Sequence, residues 1–212
     1  MRQLSTLIPI AEGASGRVYR TRDSDTGQIL AVKRLRRTEP EHVARLRREA
    51  AAQQRLDHPN ICRVYGIEQD DQGHWQLFME FVSGSTLARQ MKTLSLEQRI
   101  KILATVAEAV HTAHDKGILH RDLKPSNILL RANEAGQMVD PVVADFGLAR
   151  SEDDPVMTTT GEALGTPAYM APEQAMGAQD QIGPATDVFA LGCMLYEALT
   201  GKPPFEAPSV SA

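Results

Sequence analysis

Cysteine is scarce in this sequence: Cys62 and Cys193 are the two present in 212 residues. Two thiols far apart in the chain argue against a disulfide framework or a multi-cysteine zinc site, and they fit a reducing compartment. Long apolar runs are absent. Nothing approaches the roughly 20 consecutive apolar residues that a bilayer-spanning helix needs. The stretch Met1 to Pro9 has one basic residue and a short apolar patch, not the core of a secretory signal. Positive charge is not in excess, since 23 Lys and Arg stand against 27 Asp and Glu, a net charge of -4. That balance argues against a general nucleic-acid coat. The expectation is a soluble, cytoplasmic chain, with membrane attachment through sequence outside these residues left open. What is present is ordinary for a globular protein: 42% hydrophobic residues and 24% charged residues set aside whole-chain disorder. The length suits one large domain or two small ones.

The first third reads as strands with one helix. Gly13 and Gly16 sit between apolar stretches, and Asp25-Thr26-Gly27 is a turn signal before the apolar run at Ile29. Glu41 to Leu56 lacks Gly and Pro and is rich in Ala, Arg, Glu and Leu, which predicts a helix. Ile61 to Ile67 and His74 to Val82 read as two further strands. After a boundary near Ser83-Gly84-Ser85 the character changes. Leu96 to Lys116 places Ile100, Leu103, Ala107, Val110 and His114 on one helical face, with Gly117 as a stop. A second long helix is expected from about Thr186 to Leu199, before Gly201. Between these helices, loops and short strands are expected.

The chemistry starts at Ala11-Glu12-Gly13-Ala14-Ser15-Gly16-Arg17-Val18. Glycines there let the backbone approach phosphate oxygens and donate its N–H groups, although glycine pairs are also ordinary turns. Lys33 closes the apolar run Leu30-Ala31-Val32. It reads either as a solvated edge charge or as a reach toward phosphate, with Glu49 as the candidate carboxylate partner among other nearby acids, Glu39 and Glu41. His120-Arg121-Asp122-Leu123-Lys124-Pro125-Ser126-Asn127 follows, then Asp145-Phe146-Gly147, then Ala171-Pro172-Glu173. In identity, spacing and order these strings resemble the catalytic domain of eukaryotic-type serine/threonine protein kinases. The resemblance runs from about Leu7 to Pro204, and the wording around Gly165 to Gln174 is similar to bacterial members.

The resemblance implies an α+β, two-lobed kinase-like fold. A small antiparallel-sheet lobe with one helix and the hinge spans 1–82, and a helix-rich lobe spans 83–204, before a linker-like tail at 205–212. It implies ATP as substrate with Mg²⁺, and protein serine or threonine hydroxyls as acceptors. By resemblance, Asp122 takes or orients the hydroxyl proton and Lys124 stabilises the transferred phosphate. Asn127 and Asp145 hold Mg²⁺. Lys33, paired with Glu49, contacts the phosphates that the backbone of Gly13 and Gly16 covers. Ala11, Val18, Ala31, Met79, Glu80, Val82 and Leu129 complete the ATP set, with main-chain groups of Glu80 and Val82 on the adenine edge and Met79 guarding a rear pocket. Lys124 two residues after Asp122, and Thr166 before Ala171-Pro172-Glu173, match the serine/threonine pattern.

Regulation is implied as well. Arg121 is placed to receive phosphate from the segment before Glu173, where Thr158, Thr159, Thr160 and Thr166 lie; autophosphorylation is expected at Thr158 to Thr160. The arginines at 34, 36, 37, 45, 47 and 48 read as a solvated helix face rather than a nucleic-acid patch, since no aromatic residue is interleaved. Four departures stand out, one of them the stretch Arg131 to Asp140, longer than the usual connection between Asn127 and Asp145. Ala11 replaces the first loop glycine, and Gln53 is polar where a hydrophobic residue is usual. The family's later helices do not follow Pro203-Pro204-Phe205, so the larger lobe reads as incomplete. Glu173 would then lack its arginine partner, Asp187 would still anchor the catalytic loop, and Val188, Leu191, Leu195 and Leu199 would be exposed. Either the chain is a fragment, or a second copy or another chain completes the lobe. The competing reading is a non-catalytic nucleotide-binding or interaction module.

Overall fold

The computed structural model describes residues 2–13, 16–36, 39–133, 135, 137–146 and 167–205. They form two compact units, Met1–Asp57 with Cys62–Val82, and His58–Ile61 with Ser83–Ala212.

The first unit is a five-stranded antiparallel sheet and one helix. The strands are β1 (Ile8–Gly13), β2 (Gly16–Arg22) and β3 (Ile29–Leu35). Helix α1 (Pro40–Gln53) follows, then β4 (Val64–Gln69) and β5 (Trp75–Glu80). The spatial order is β1-β2-β3-β5-β4. Alternation along β3 assigns its two faces. Leu30 and Val32 are fully buried and pack with Phe78, Leu4, Leu7 and Tyr65. Burying each such side chain stabilises the sheet by roughly 1.5–3 kcal/mol. Ala31 and Lys33 alternate onto the opposite face.

Proline at the first turn of α1 suits the helix start, where its missing N–H has no intrahelical partner anyway. Val43, Leu46, Ala50 and Gln53 recur at helical spacing and form the buried face. The helix ends at Gln53 rather than Leu56, because the Arg55 and Leu56 N–H groups bond three residues back, to Ala52 and Gln53. Gln54 Nε2 then donates to the Tyr65 carbonyl at 2.7 Å, fixing the helix end to β4. The turn between β4 and β5 is built on Asp70. Its carboxylate accepts the His74 and Gln72 N–H groups at 2.8 and 3.0 Å, and the Arg34 guanidinium at 3.0 Å. Burial raises this carboxyl, but those donors outweigh it and hold it below the ordinary carboxylate range.

The second unit begins with β6 (Gly84–Thr86), α2 (Leu87–Gln90) and the long α3 (Leu96–His114). It continues through β7 (Ile128–Ala132), β8 (Met138–Val143), α4 (Pro172–Ala175) and α5 (Pro184–Thr200). The order β6-β7-β8 makes a three-stranded antiparallel sheet. Residues 58–61 join this unit: the Val143 N–H donates to the Asn60 carbonyl at 2.8 Å, and Asn60 Nδ2 donates to the Pro141 carbonyl at 2.7 Å. The expected strand from Ile61 therefore starts at Val64. A reciprocal capping box opens α3: the Gln98 N–H donates to Ser95 Oγ at 3.2 Å and the Ser95 N–H to Gln98 Oε1 at 2.8 Å. Its buried stripe of Ile102, Leu103, Val106, Ala109, Val110 and Ala113 packs against α5. Gly201 ends α5 at φ 79°, a left-handed conformation that glycine adopts without strain. On the other side of α5, Val188, Leu195 and Leu199 are exposed and Leu191 is half-buried. No helix among the described residues is long and apolar enough to cross a membrane.

Candidate active site

In the second unit the site is built around one buried carboxylate. Asp187, in the first turn of α5, is 1% exposed. Its Oδ2 lies 2.8 Å from His114 Nε2 at the end of α3 and accepts the His120 N–H at 2.8 Å. Its Oδ1 accepts the Arg121 N–H at 2.8 Å. These bonds shape a loop that no helix or ladder supports. Arg121 has φ 64°, a region non-glycine residues rarely occupy, at a cost of about 1–3 kcal/mol unless the surroundings over-determine it. They do so here, since the Arg121 carbonyl also accepts Gln174 Nε2 of α4 at 2.7 Å.

His120 is fully buried beneath this loop. Its Nδ1 accepts the Asp122 N–H at 3.2 Å, so its Nε2 carries the proton and donates to the Ala144 carbonyl at 3.0 Å. Burial pushes its pKa below the ordinary histidine value, although Asp187 and Asp122 pull the other way. The ring leans on Phe146, with centroids 4.7 Å apart.

Above this floor the candidate catalytic groups converge. Asp122 Oδ2 accepts Lys124 Nζ at 2.7 Å and Asn127 Nδ2 at 3.1 Å, and Asn127 Nδ2 also donates to the Asp122 carbonyl at 2.8 Å. With its nitrogen committed to Asp122, Asn127 has Oδ1 as its remaining side-chain group, an oxygen able to ligate a metal. The Ala144 N–H donates to the Asn127 carbonyl at 2.9 Å, which brings Asn127 beside the backbone leading to Asp145. Asp145 itself sits at φ 61°. The two residues offer an amide oxygen and a carboxylate, hard donors that fit Mg²⁺. That ion is commonly held by one or two protein oxygens plus phosphates and water. A cavity next to this cluster is lined by Asp122, Lys124, Tyr169, Met170, Thr186 and Ala190. Leu129 lies on β7, opposite Thr86 and Val142.

The register of the first unit gathers a second set. Gly13 pairs with Gly16 at the tip of the β1–β2 hairpin, and Ala11 pairs with Val18. Val18 is opposite Lys33, and Ala31 is opposite Met79. Directly paired residues share a face, so Ala11, Val18, Ala31, Lys33 and Met79 line one side of the sheet. Lys33 is only 3% exposed, which rules out the solvated-edge alternative. Gly16 sits at φ 153°, and a Cβ there would collide with the Arg34 carbonyl. Glu80 pairs with Leu30, donates its N–H to the Arg63 carbonyl at 2.8 Å, and precedes the half-buried Val82. Glu49 on α1 lies 3.6 Å from Arg45 Nε, one turn back.

A protein kinase domain signature matches residues 5–212. The chain belongs to the protein kinase family. It is 38% identical over 212 residues to the serine/threonine-protein kinase pkn3 of Myxococcus xanthus, covering 94% of this chain and 38% of that protein. It is 36% identical over 214 residues to the serine/threonine-protein kinase PkaA of Streptomyces coelicolor, covering 93% of this chain and 38% of that protein. To the serine/threonine-protein kinase PknA of Mycobacterium tuberculosis it is 39% identical over 206 residues, covering 92% and 46%. The chain thus spans well under two thirds of the length of these relatives, and all three are bacterial.

Within the kinase fold, Glu173 accepts the Thr186 hydroxyl at 2.5 Å. Tyr169 donates to Glu197 Oε2 at 2.6 Å, and burial together with that carboxylate raises its phenol well above the usual range. Gly147 and the expected phosphorylation positions Thr158, Thr159, Thr160 and Thr166 lie outside the described residues. Sequence reasoning missed Gln174, Thr186 and the tie from His114 to Asp187. His114 did leave a signal, as a polar residue on an otherwise apolar helix face. Gln174 left none, because its partner, Arg121, is 53 residues away.

Proposed function

We propose that this chain transfers the γ-phosphoryl group of ATP to serine and threonine hydroxyls of proteins. The observation that carries this reading is the Asp122–Lys124–Asn127 cluster on its fixed loop. Asp122 has one oxygen held by Lys124 and Asn127 and borders an adjoining cavity. In that role Asp122 accepts the hydroxyl proton as the hydroxyl oxygen bonds to phosphorus, the β–γ bridging bond breaks, and ADP leaves. Lys124, already within bonding distance of Asp122, offsets charge on the phosphoryl in transfer. Asn127 Oδ1 and Asp145 are the donors for Mg²⁺, which when bound neutralises phosphate charge. Lys33, with Glu49, serves the phosphates. Ala11, Gly13, Gly16, Val18, Ala31, Met79, Glu80, Val82 and Leu129 serve the nucleotide. Autophosphorylation at Thr158 to Thr160, read out through Arg121, belongs to the same proposal, as does a cytoplasmic setting that agrees with Cys62 and Cys193 being buried thiols outside any disulfide.

Radiolabel transfer from ATP to a generic basic protein and to the chain itself tests the reading, with Asp122→Asn as control. Loss of one general base lowers the rate about 10²–10⁴-fold. Equal inactivity of both proteins, with ATP still raising the melting temperature, would establish the binding module instead. Label absent from the peptide carrying Thr158 to Thr160 would remove the autophosphorylation claim alone.

A further inference from the structure

We propose that Gln174 is a positioning residue for phosphoryl transfer, whose amide makes the shape of the catalytic loop depend on the segment that carries α4. The inference rests on the kinase reading above. Gln174 is 8% exposed, and both ends of its amide are used. Oε1 accepts the Ala171 N–H at 3.2 Å, and Nε2 donates to the Arg121 carbonyl at 2.7 Å. The flipped amide would set N–H against N–H and oxygen against oxygen, so the orientation is determined.

Its partner is the strained residue of the loop, immediately before Asp122. The Arg121 N–H is held by Asp187 of α5 and its carbonyl by Gln174 of α4. The two holders are themselves joined, because Thr186 beside Asp187 donates to Glu173 beside Gln174 at 2.5 Å. Thr186 Oγ1 in turn accepts the Gly183 N–H at 3.2 Å. Arg121, Gln174, Glu173, Thr186 and Asp187 thus form a closed ring through two helices and the loop. A φ of 64° is held where the surroundings over-determine it, and here the N–H and the carbonyl of Arg121 are both held. Any displacement of α4 therefore reaches Asp122 through one backbone unit. An apolar side chain of equal volume would fill the space and take away the Gln174 donor from the carbonyl of the half-buried Arg121. A carboxylate would set oxygen against oxygen.

The test compares wild type with Gln174→Met, Gln174→Glu and Thr186→Val. The measurements are kcat and KM for ATP and a serine peptide, and amide hydrogen exchange across residues 118–124. Gln174→Met should lower kcat about tenfold through a misplaced Asp122, with KM for ATP changed less than about twofold. Exchange at residues 120–122 should rise by a similar factor while exchange within α3 stays constant. Gln174→Glu should be worse on both counts. Thr186→Val, at the far link of the ring, should shift exchange in the same direction, and it serves as the deciding variant if Gln174→Met does not fold. A role in packing alone predicts that Gln174→Met matches wild type in kcat and exchange, and that result overturns the proposal. A wild-type chain unable to transfer phosphate would sink the kinase reading, yet the exchange measurements would still decide whether Gln174 holds the loop.

Discussion

Asp187→Asn isolates the worth of the buried carboxylate that shapes the catalytic loop. The side chain keeps its size, so packing is conserved and hydrogen bonding alone changes. Asp187 accepts from His120, Arg121 and His114, each at 2.8 Å. In the variant, Oδ1 still accepts the Arg121 N–H. The atom replacing Oδ2 becomes a donor. His114 can adapt by moving its ring proton to Nδ1 and accepting at Nε2, but the His120 N–H cannot. One buried donor is left unpaired, at about 1–3 kcal/mol, and the remaining bonds lose their charged acceptor, for a total of about 2–4 kcal/mol. Urea unfolding followed by far-ultraviolet ellipticity reports chiefly α3 and α5, the two longest helices. With a urea slope of about 2 kcal/mol per molar, the midpoint should fall by about 1–2 M. Exchange of the His120 and Arg121 amides should accelerate more than that of α3. A midpoint and an exchange pattern equal to wild type would refute the reasoning and assign the loop's shape to other contacts.

Other outcomes follow from the same structure. His120 has its pKa depressed by burial, so the unfolded chain takes up a proton below about pH 6.5 that the folded chain resists. Stability is therefore full above that value and declines as pH falls through the window beneath it, by up to about 1.4 kcal/mol per pH unit. His120→Phe should flatten that slope in denaturation curves between pH 7 and 5, and an unchanged slope would assign it to other groups. Gln53 is 2% exposed, and neither its side-chain oxygen nor its nitrogen has a hydrogen-bond partner. Gln53→Leu should raise stability by about 1–2 kcal/mol, or roughly 2–8 °C in melting temperature; a lower melting temperature would mean the amide is satisfied. Gly16→Ala must open the β2–β3 pairing at Arg34, at about 1–3 kcal/mol. ATP should then raise its melting temperature less than it does for wild type, and an equal shift would separate the loop from nucleotide binding.

Much of the architecture was legible because it is local. Helix α3 and its end before Gly117 follow from spacing, but of the expected face Leu103 and Val110 are buried while Ile100 and Ala107 are exposed, the stripe being turned toward Ile102, Val106 and Ala109. The strand carrying Lys33 follows too, though it runs on to Leu35. Burial then resolved what spacing left open for Lys33, whose position opposite Val18 and Leu77 places it inside the sheet's covered face. Helix α1 stopped short of Leu56 because the chain tightens after Gln53, a choice made by the docking of Gln54 on β4. Ile61 reads as the start of a strand, yet the neighbouring Asn60 spends its hydrogen bonds on Pro141 and Val143, more than 80 residues later in the chain. Propensity carries no information at that range. The motif strings named Asp122, Lys124 and Asn127, and geometry added their mutual bonds. The support beneath them was mostly silent in the sequence, because a lone glutamine or histidine acquires meaning only when the fold supplies its partner.

The carboxylate that shapes the Arg121 peptide comes from 66 residues further along the chain. A growing polypeptide that emerges at about 5–20 residues per second must therefore wait roughly 3–13 s between synthesis of the loop and arrival of its anchor. During that interval the His120 and Arg121 amides are solvated and Arg121 is free to relax into an ordinary extended or helical conformation. The first unit carries its own sheet and core, and every strand it needs has been made before Val82. Nascent chains halted before and after Thr186 should thus differ sharply in protease sensitivity near the loop, while the amino-terminal sheet is already resistant in both. In this molecule the order of synthesis delays the shaping of the Arg121–Asp122 loop until α5 has formed.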